Sequence, residues 1–256
     1  MMKRHLALWT VAVLAFSARA ELVKETVEYQ HEGETFKGYL VFDNSQEGKR
    51  PGVVVVHEWW GLNDYAKMRA DQLAEMGYVA FALDMYGNGQ VAEDRGEAGK
   101  LAGQVRGKPV MRTRAKAGFD VLAANDLVDR DRIAAIGFCF GGTTVLEMAF
   151  SGLDLSGVVS FHGGLSPVQT DHEPKAKILI LHGAEDPHVP DADVVAFQDK
   201  LDKSGADWHL VAYGDAVHAF SNPNAGDDPG SGAAYNEKAA ERSWKHMQMF
   251  FQEIFE

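Results

Sequence analysis

Val53-Val54-Val55-Val56 sets four β-branched residues side by side with no polar position among them. Such a run has no wet face. It suits a strand buried on both sides, as in a parallel sheet covered by helices above and below. Ile133-Ala134-Ala135-Ile136 and Ile178-Leu179-Ile180-Leu181 repeat the pattern. Between such runs lie stretches with helical spacing, and strands alternating with helices imply βαβ units. The sequence therefore predicts an α/β protein with a mostly parallel central sheet and helices on both faces.

The expected elements are strands at 25–30 and 35–42, joined by a turn at Glu32-Gly33-Glu34, then strands at 52–57, 78–83, 132–138, 156–162, 177–182 and 207–213. Helices are expected at 64–76, 110–125, 141–151, 192–204 and 235–255. Residues 84–109 read as a Gly-rich excursion over the sheet with one helix near 92–102, and 222–232 as a loop. No repeat or interior linker divides the chain, and 256 residues suit one α/β domain.

The first twenty residues stand apart. A basic start, Lys3-Arg4-His5, precedes an apolar run from Leu6 to Phe16 and the small residues of Ala18-Arg19-Ala20. That is the layout of a secretory signal peptide over residues 1–20, followed by a single domain at 21–256 in an exported, periplasmic or secreted protein. The run is too short for a bilayer span, so no stable membrane span is expected after its removal. The net charge of −12 repels phosphate backbones, which argues against nucleic acid as a partner. A small-molecule substrate and a monomer are expected. One cysteine in the whole chain leaves no disulfide framework.

That cysteine is the centre of Gly137-Phe138-Cys139-Phe140-Gly141-Gly142, between a buried strand and a helix. G-x-C-x-G at such a junction is a nucleophile elbow with cysteine in place of serine. Flanking glycines let strand and helix approach, and the helix N-terminus favours a thiolate and an oxyanion. A nucleophile needs a base, and the base an orienting acid. Asp186 follows the strand at 177–182 through Gly183, with Glu185 as its nearest rival. His218 follows the strand at 207–213, with His162 and His188 as rivals. The order nucleophile, acid, histidine favours Cys139, Asp186 and His218. Phe140 N–H and Trp59 N–H are the expected oxyanion donors. Glu58, in His57-Glu58-Trp59-Trp60-Gly61, either accepts the thiol proton or is a carboxylate tied to loop N–H groups. Both readings stand on the sequence.

Val56 to Asn63, Leu83 to Gly87, the cysteine elbow, His182 to Pro190 and His218-Ala219-Phe220 together resemble the dienelactone hydrolase family, in that family's order and over nearly the whole chain after residue 20. The resemblance implies an α/β-hydrolase fold, an ester or lactone substrate, a thioester acyl-enzyme and no cofactor or metal. It implies that Glu58 helps generate the thiolate and that Tyr86 lies near the site. Tyr86 and Trp60 are expected to contact substrate. The dienelactone-cleaving members grip the substrate carboxylate with arginines at positions where this chain has Asn88 and Ser221. Arg95, Arg106 or Arg112 could reach in from the excursion instead. A non-catalytic binding protein on the same fold is the alternative. A thiol redox protein is a third reading, weakened by the lack of a second cysteine.

Overall fold

The computed structural model describes residues 21–165 and 173–256. The expected signal peptide lies outside them. Eight strands form one sheet: β1 (Leu22–His31), β2 (Glu34–Asp43), β3 (Arg50–Val56), β4 (Val79–Leu83), β5 (Val128–Phe138), β6 (Gly157–Phe161), β7 (Lys177–Gly183) and β8 (Trp208–Tyr213). Their spatial order is β1-β2-β4-β3-β5-β6-β7-β8. β1 and β2 form an antiparallel hairpin and β2 pairs antiparallel with β4, whereas every later pairing is parallel. The hairpin closes at Glu32 and Gly33, which have φ of 50° and 83°. Two successive positive values turn the chain with the hand of the strands' own twist.

The helices are α1 (Asp64–Glu75), α2 (Arg95–Val105), α3 (Pro109–Ala123), α4 (Phe140–Ala149), α5 (Asp191–Lys203) and α6 (Glu237–Phe255). The valine run behaves as its composition demands. Val54 and Val56 enter one core with residues of α2 to α5, and Val53 and Val55 the other with α1 and α6. All four valines are fully buried. Among the described residues no helix is long and apolar enough to cross a membrane.

β3 sits between β4 and β5, and the chain leaves it toward β4 before returning to lay down β5 on its other side. The strand order therefore reverses at the β3–β5 boundary. A crevice opens at the carboxyl ends of parallel strands at such a switch point. Val56 pairs with Gly137 there, so the segments beginning at His57 and Phe138 emerge side by side.

Candidate active site

Cys139 lies at the end of β5 with φ 54° and ψ −112°, and α4 begins at the next residue. That backbone conformation is sparsely populated for a side-chain-bearing residue, and it persists only where the surroundings enforce it. Here packing does so. A Cβ on Gly137 would meet the Gly141 carbonyl oxygen at 2.0 Å, and one on Gly141 would meet Val56 O at 2.2 Å. Only glycine fits at either position, and the bend presents Cys139 at the head of α4.

The three residues expected to act together are brought together. The Asp186 carboxylate accepts a 2.8 Å hydrogen bond from His218 Nδ1 and, through its other oxygen, one from the His188 backbone N–H at 2.8 Å. Asp186 is buried, whereas its rival Glu185 is exposed. Burial works against charge on His218, but the neighbouring Cys139 side chain and the hydrogen bond to Asp186 outweigh it and push the imidazole up to about 10. Of the rival histidines, His188 lies ring-edge against His218 at 5.2 Å between centroids, and His162 is buried beneath it at 5.4 Å.

Trp59 lies in the loop after β3. Neither its backbone N–H nor that of Phe140 has an acceptor among the described residues. The loop is braced from behind. His57 packs its ring against Tyr86 and Phe140, links Nδ1 to Glu58 O and accepts the Met85 N–H at Nε2. Tyr86, expected to meet substrate, instead turns its hydroxyl to Trp59 O at 2.9 Å and acts as a prop for the loop. The segment carrying Tyr86 is wound about the buried Asp84 carboxylate, which accepts N–H groups from Tyr86, Gly87, Gly89 and Lys37.

Glu58 is 3% exposed. Burial raises its carboxyl to about 7, against the lowering effects of a hydrogen bond from Asn222 and the charges on His218 and Arg69. The Asn222 amide donates to Glu58 at 2.7 Å, so its partner is a side chain rather than the loop N–H groups. Asn222 went unnoticed in the sequence because an asparagine in a polar loop carries no distinguishing pattern.

Two cavities meet at Cys139, His188 and His218. The larger, about 420 Å³, is walled by Glu58, Trp59, Trp60, Arg95 and Asn222. The smaller, about 220 Å³, is walled by Arg106, Met111, Phe140, Thr143 and Glu147. Trp60 thus stands where substrate contact was expected. Ser221 does not face the cleft; its hydroxyl is buried against Tyr65 and His162. The adjoining Asn222 is the residue that reaches the wall. Asn88 is exposed in the turn at φ 54° and lines neither cavity. Of the three arginines, Arg95 and Arg106 line one cavity each, while Arg112 lies on α3 and is paired with Glu147 at 2.7 Å.

The sequence pattern of the dienelactone hydrolase family matches residues 36–255. A curated relative, Protein usf of Aquifex pyrophilus, is 31% identical over 240 residues, covering 90% of this chain and 98% of its own. The solved structure of m3DLH is 40% identical with a TM-score of 0.87, covering 91% of this chain and 98% of that one. A dienelactone hydrolase-like promiscuous phosphotriesterase from metagenomic libraries is 39% identical with a TM-score of 0.86 over the same shares. An eight-stranded α/β sheet of this order, a strained cysteine elbow at its switch point and a family match across nearly all of the described chain agree: the chain belongs to the dienelactone hydrolase family, a membership that supports hydrolysis of esters or lactones.

Proposed function

We propose that the protein hydrolyses small esters or lactones through a thioester on Cys139. The Cys139 thiolate attacks the carbonyl carbon, forming a C–S bond and a tetrahedral oxyanion that Phe140 N–H and Trp59 N–H hold. Collapse expels the alkoxide, which takes its proton from the His218 imidazolium. Neutral His218 then removes a proton from water as the water attacks the thioester, and the second collapse returns the thiolate and releases the acid. In a lactone the alkoxide stays tethered to the acyl group until this last step. Asp186 holds His218 in the tautomer that turns Nε2 toward the reaction and stabilises its charged form. Glu58, as carboxylate, takes up the thiol proton in the resting enzyme.

The observation carrying this reading is the imidazole of His218, held at Nδ1 by a buried carboxylate and lining the same two cavities as the chain's single cysteine. The test is turnover of an aryl ester by Cys139→Ala, alongside wild type treated with iodoacetamide. Both lose activity on this account, and an active Cys139→Ala rejects it. The phosphotriesterase relative makes phosphotriesters a second class to assay, since attack on phosphorus would use the same sulfur and the same two amides. Export, proposed from the basic and apolar start of the chain, is tested by fractionating cells that express the full-length protein. Recovery of full-length protein only in the cytoplasm rejects it.

A further inference from the structure

We infer that His162 is a positioning residue for catalysis: a neutral imidazole that holds the backbone N–H of Cys139 with one nitrogen and ties the nucleophile's bend to the His218 loop with the other. This deepens the cysteine-hydrolase reading and rests on it.

His162 follows β6 and is fully buried, with φ 40°. The Cys139 N–H is shared between Phe161 O at 3.0 Å and His162 Nδ1 at 3.1 Å. A backbone N–H can only donate, so Nδ1 must offer its lone pair, and the ring's proton sits on Nε2. Nε2 lies 2.8 Å from Ser221 Oγ and donates to it. That hydroxyl lies 2.8 Å from the Tyr65 hydroxyl, and Arg69 donates to Ser221 O at 2.7 Å and to the Tyr65 hydroxyl at 3.4 Å. The assembly has no place for a second proton on His162, which would aim one N–H at another. Burial first, then the charges of His218 and Arg69, hold the ring's basicity well below the usual value.

The geometry gives this ring a task. Ser221 lies three residues after His218 and next to Asn222, which holds Glu58. One loop therefore carries the base, the partner of Glu58 and, through Ser221, the anchor of His162. The ring of His162 connects that loop to the peptide that sets the direction of the Cys139 side chain and of the Phe140 N–H. A filler of the same volume would leave the nucleophile and its base on elements free to shift relative to one another. His162 is also in ring contact with His218 at 5.4 Å and, being neutral, adds no charge against the imidazolium.

Three variants test this. A positive φ suits glycine and asparagine, so neither His162→Gly nor His162→Asn adds backbone strain. Asparagine also puts its carbonyl oxygen where Nδ1 was. Kinetics on an aryl ester, the rate of Cys139 alkylation by iodoacetamide and thermal melting are measured for both and for Ser221→Ala. His162→Gly is expected to lose about tenfold to a hundredfold in kcat and in alkylation rate with KM nearly unchanged, and His162→Asn to recover most of both. Ser221→Ala, which keeps the ring but frees Nε2, is expected to lose kcat with KM nearly unchanged; it carries the test should His162→Gly not fold. Wild-type kcat in His162→Gly or in Ser221→Ala overturns the inference, as does an equal loss in the glycine and asparagine variants. If Cys139→Ala stays active, the hydrolytic reading has failed instead; if it is dead while His162→Gly is fully active, only the positioning role has.

Discussion

Gly141→Ala adds one methyl group at the point where α4 passes closest to β3. The new Cβ would lie 2.2 Å from Val56 O and 2.6 Å from His57 O. Both are backbone atoms of the sheet and the loop that follows it, so neither can swing aside. Restoring ordinary contact requires α4 to withdraw from β3 by roughly 1 Å, because protein interiors pack too densely to absorb a methyl. Phe140 N–H rides on α4, and Trp59 N–H rides on the loop after β3. The same retreat therefore widens the gap between the two proposed oxyanion donors. Overpacking of this kind costs about 1–3 kcal/mol of stability. A misplacement of about 1 Å at the reacting centre costs about a hundredfold in rate. Gly99→Ala is the control. A Cβ there meets nothing within 4 Å, and alanine in the α2 interior should stabilise by roughly 0.5–1 kcal/mol without touching turnover. The assay is kcat and KM on a p-nitrophenyl ester together with thermal melting of each variant. A folded Gly141→Ala protein with wild-type kcat would refute the reasoning, since it would show that the spacing of α4 and β3 does not set the rate.

Asp186→Asn keeps shape but, with His188 N–H fixing the carbonyl end, turns its amide toward His218 Nδ1; the imidazole then takes the wrong tautomer, and kcat should fall by about 10³–10⁴, measured on the same ester. Burial raises Glu58 above its ordinary 4.5 to about 7, so between those values the folded protein holds a proton that the unfolded chain has released. Stability should therefore decline as pH rises through that window, while activity rises toward and past pH 7 as the carboxylate forms; Glu58→Gln should flatten both slopes in melting curves and pH–rate profiles. Arg106 is exposed at the end of α2, with its guanidinium 6.0 Å from the Phe140 ring centroid in the smaller cavity. Arg106→Gln should lower kcat/KM about tenfold to a hundredfold for esters carrying a carboxylate and leave neutral esters unchanged, as loss of one charge-assisted hydrogen bond would.

The elements that position the site were legible because their signals are local. Four consecutive valines have only one comfortable environment, and glycines flanking a cysteine at a strand-to-helix junction announce a tight bend. Placement of an acid and a histidine after successive strands then followed from topology. Where the structure departs, the cause is a competing signal. β5 begins at Val128 rather than Arg132, because Asp129, Arg130 and Asp131 hide a strand start that pairs with Arg50 and Pro51 before a register shift. α2 runs from Arg95 rather than Ala92, because Asp94 caps it by accepting the Glu97 N–H at 2.9 Å, a capping pattern present in the sequence. The partners of Glu58 and of the Cys139 amide could not be read off. Asn222 lies 164 positions from Glu58 and His162 lies 23 from Cys139, and no spacing rule links residues joined only by the closing of the sheet.

Intact-protein mass spectrometry on rapidly quenched turnover tests the central claim most directly. The account predicts a mass increase equal to the acyl group of each ester or lactone supplied, carried by the peptide containing Cys139, lost on chasing with buffer and absent in Cys139→Ala. Steady hydrolysis by a variant lacking that sulfur, or an acyl group found on another residue, would contradict it.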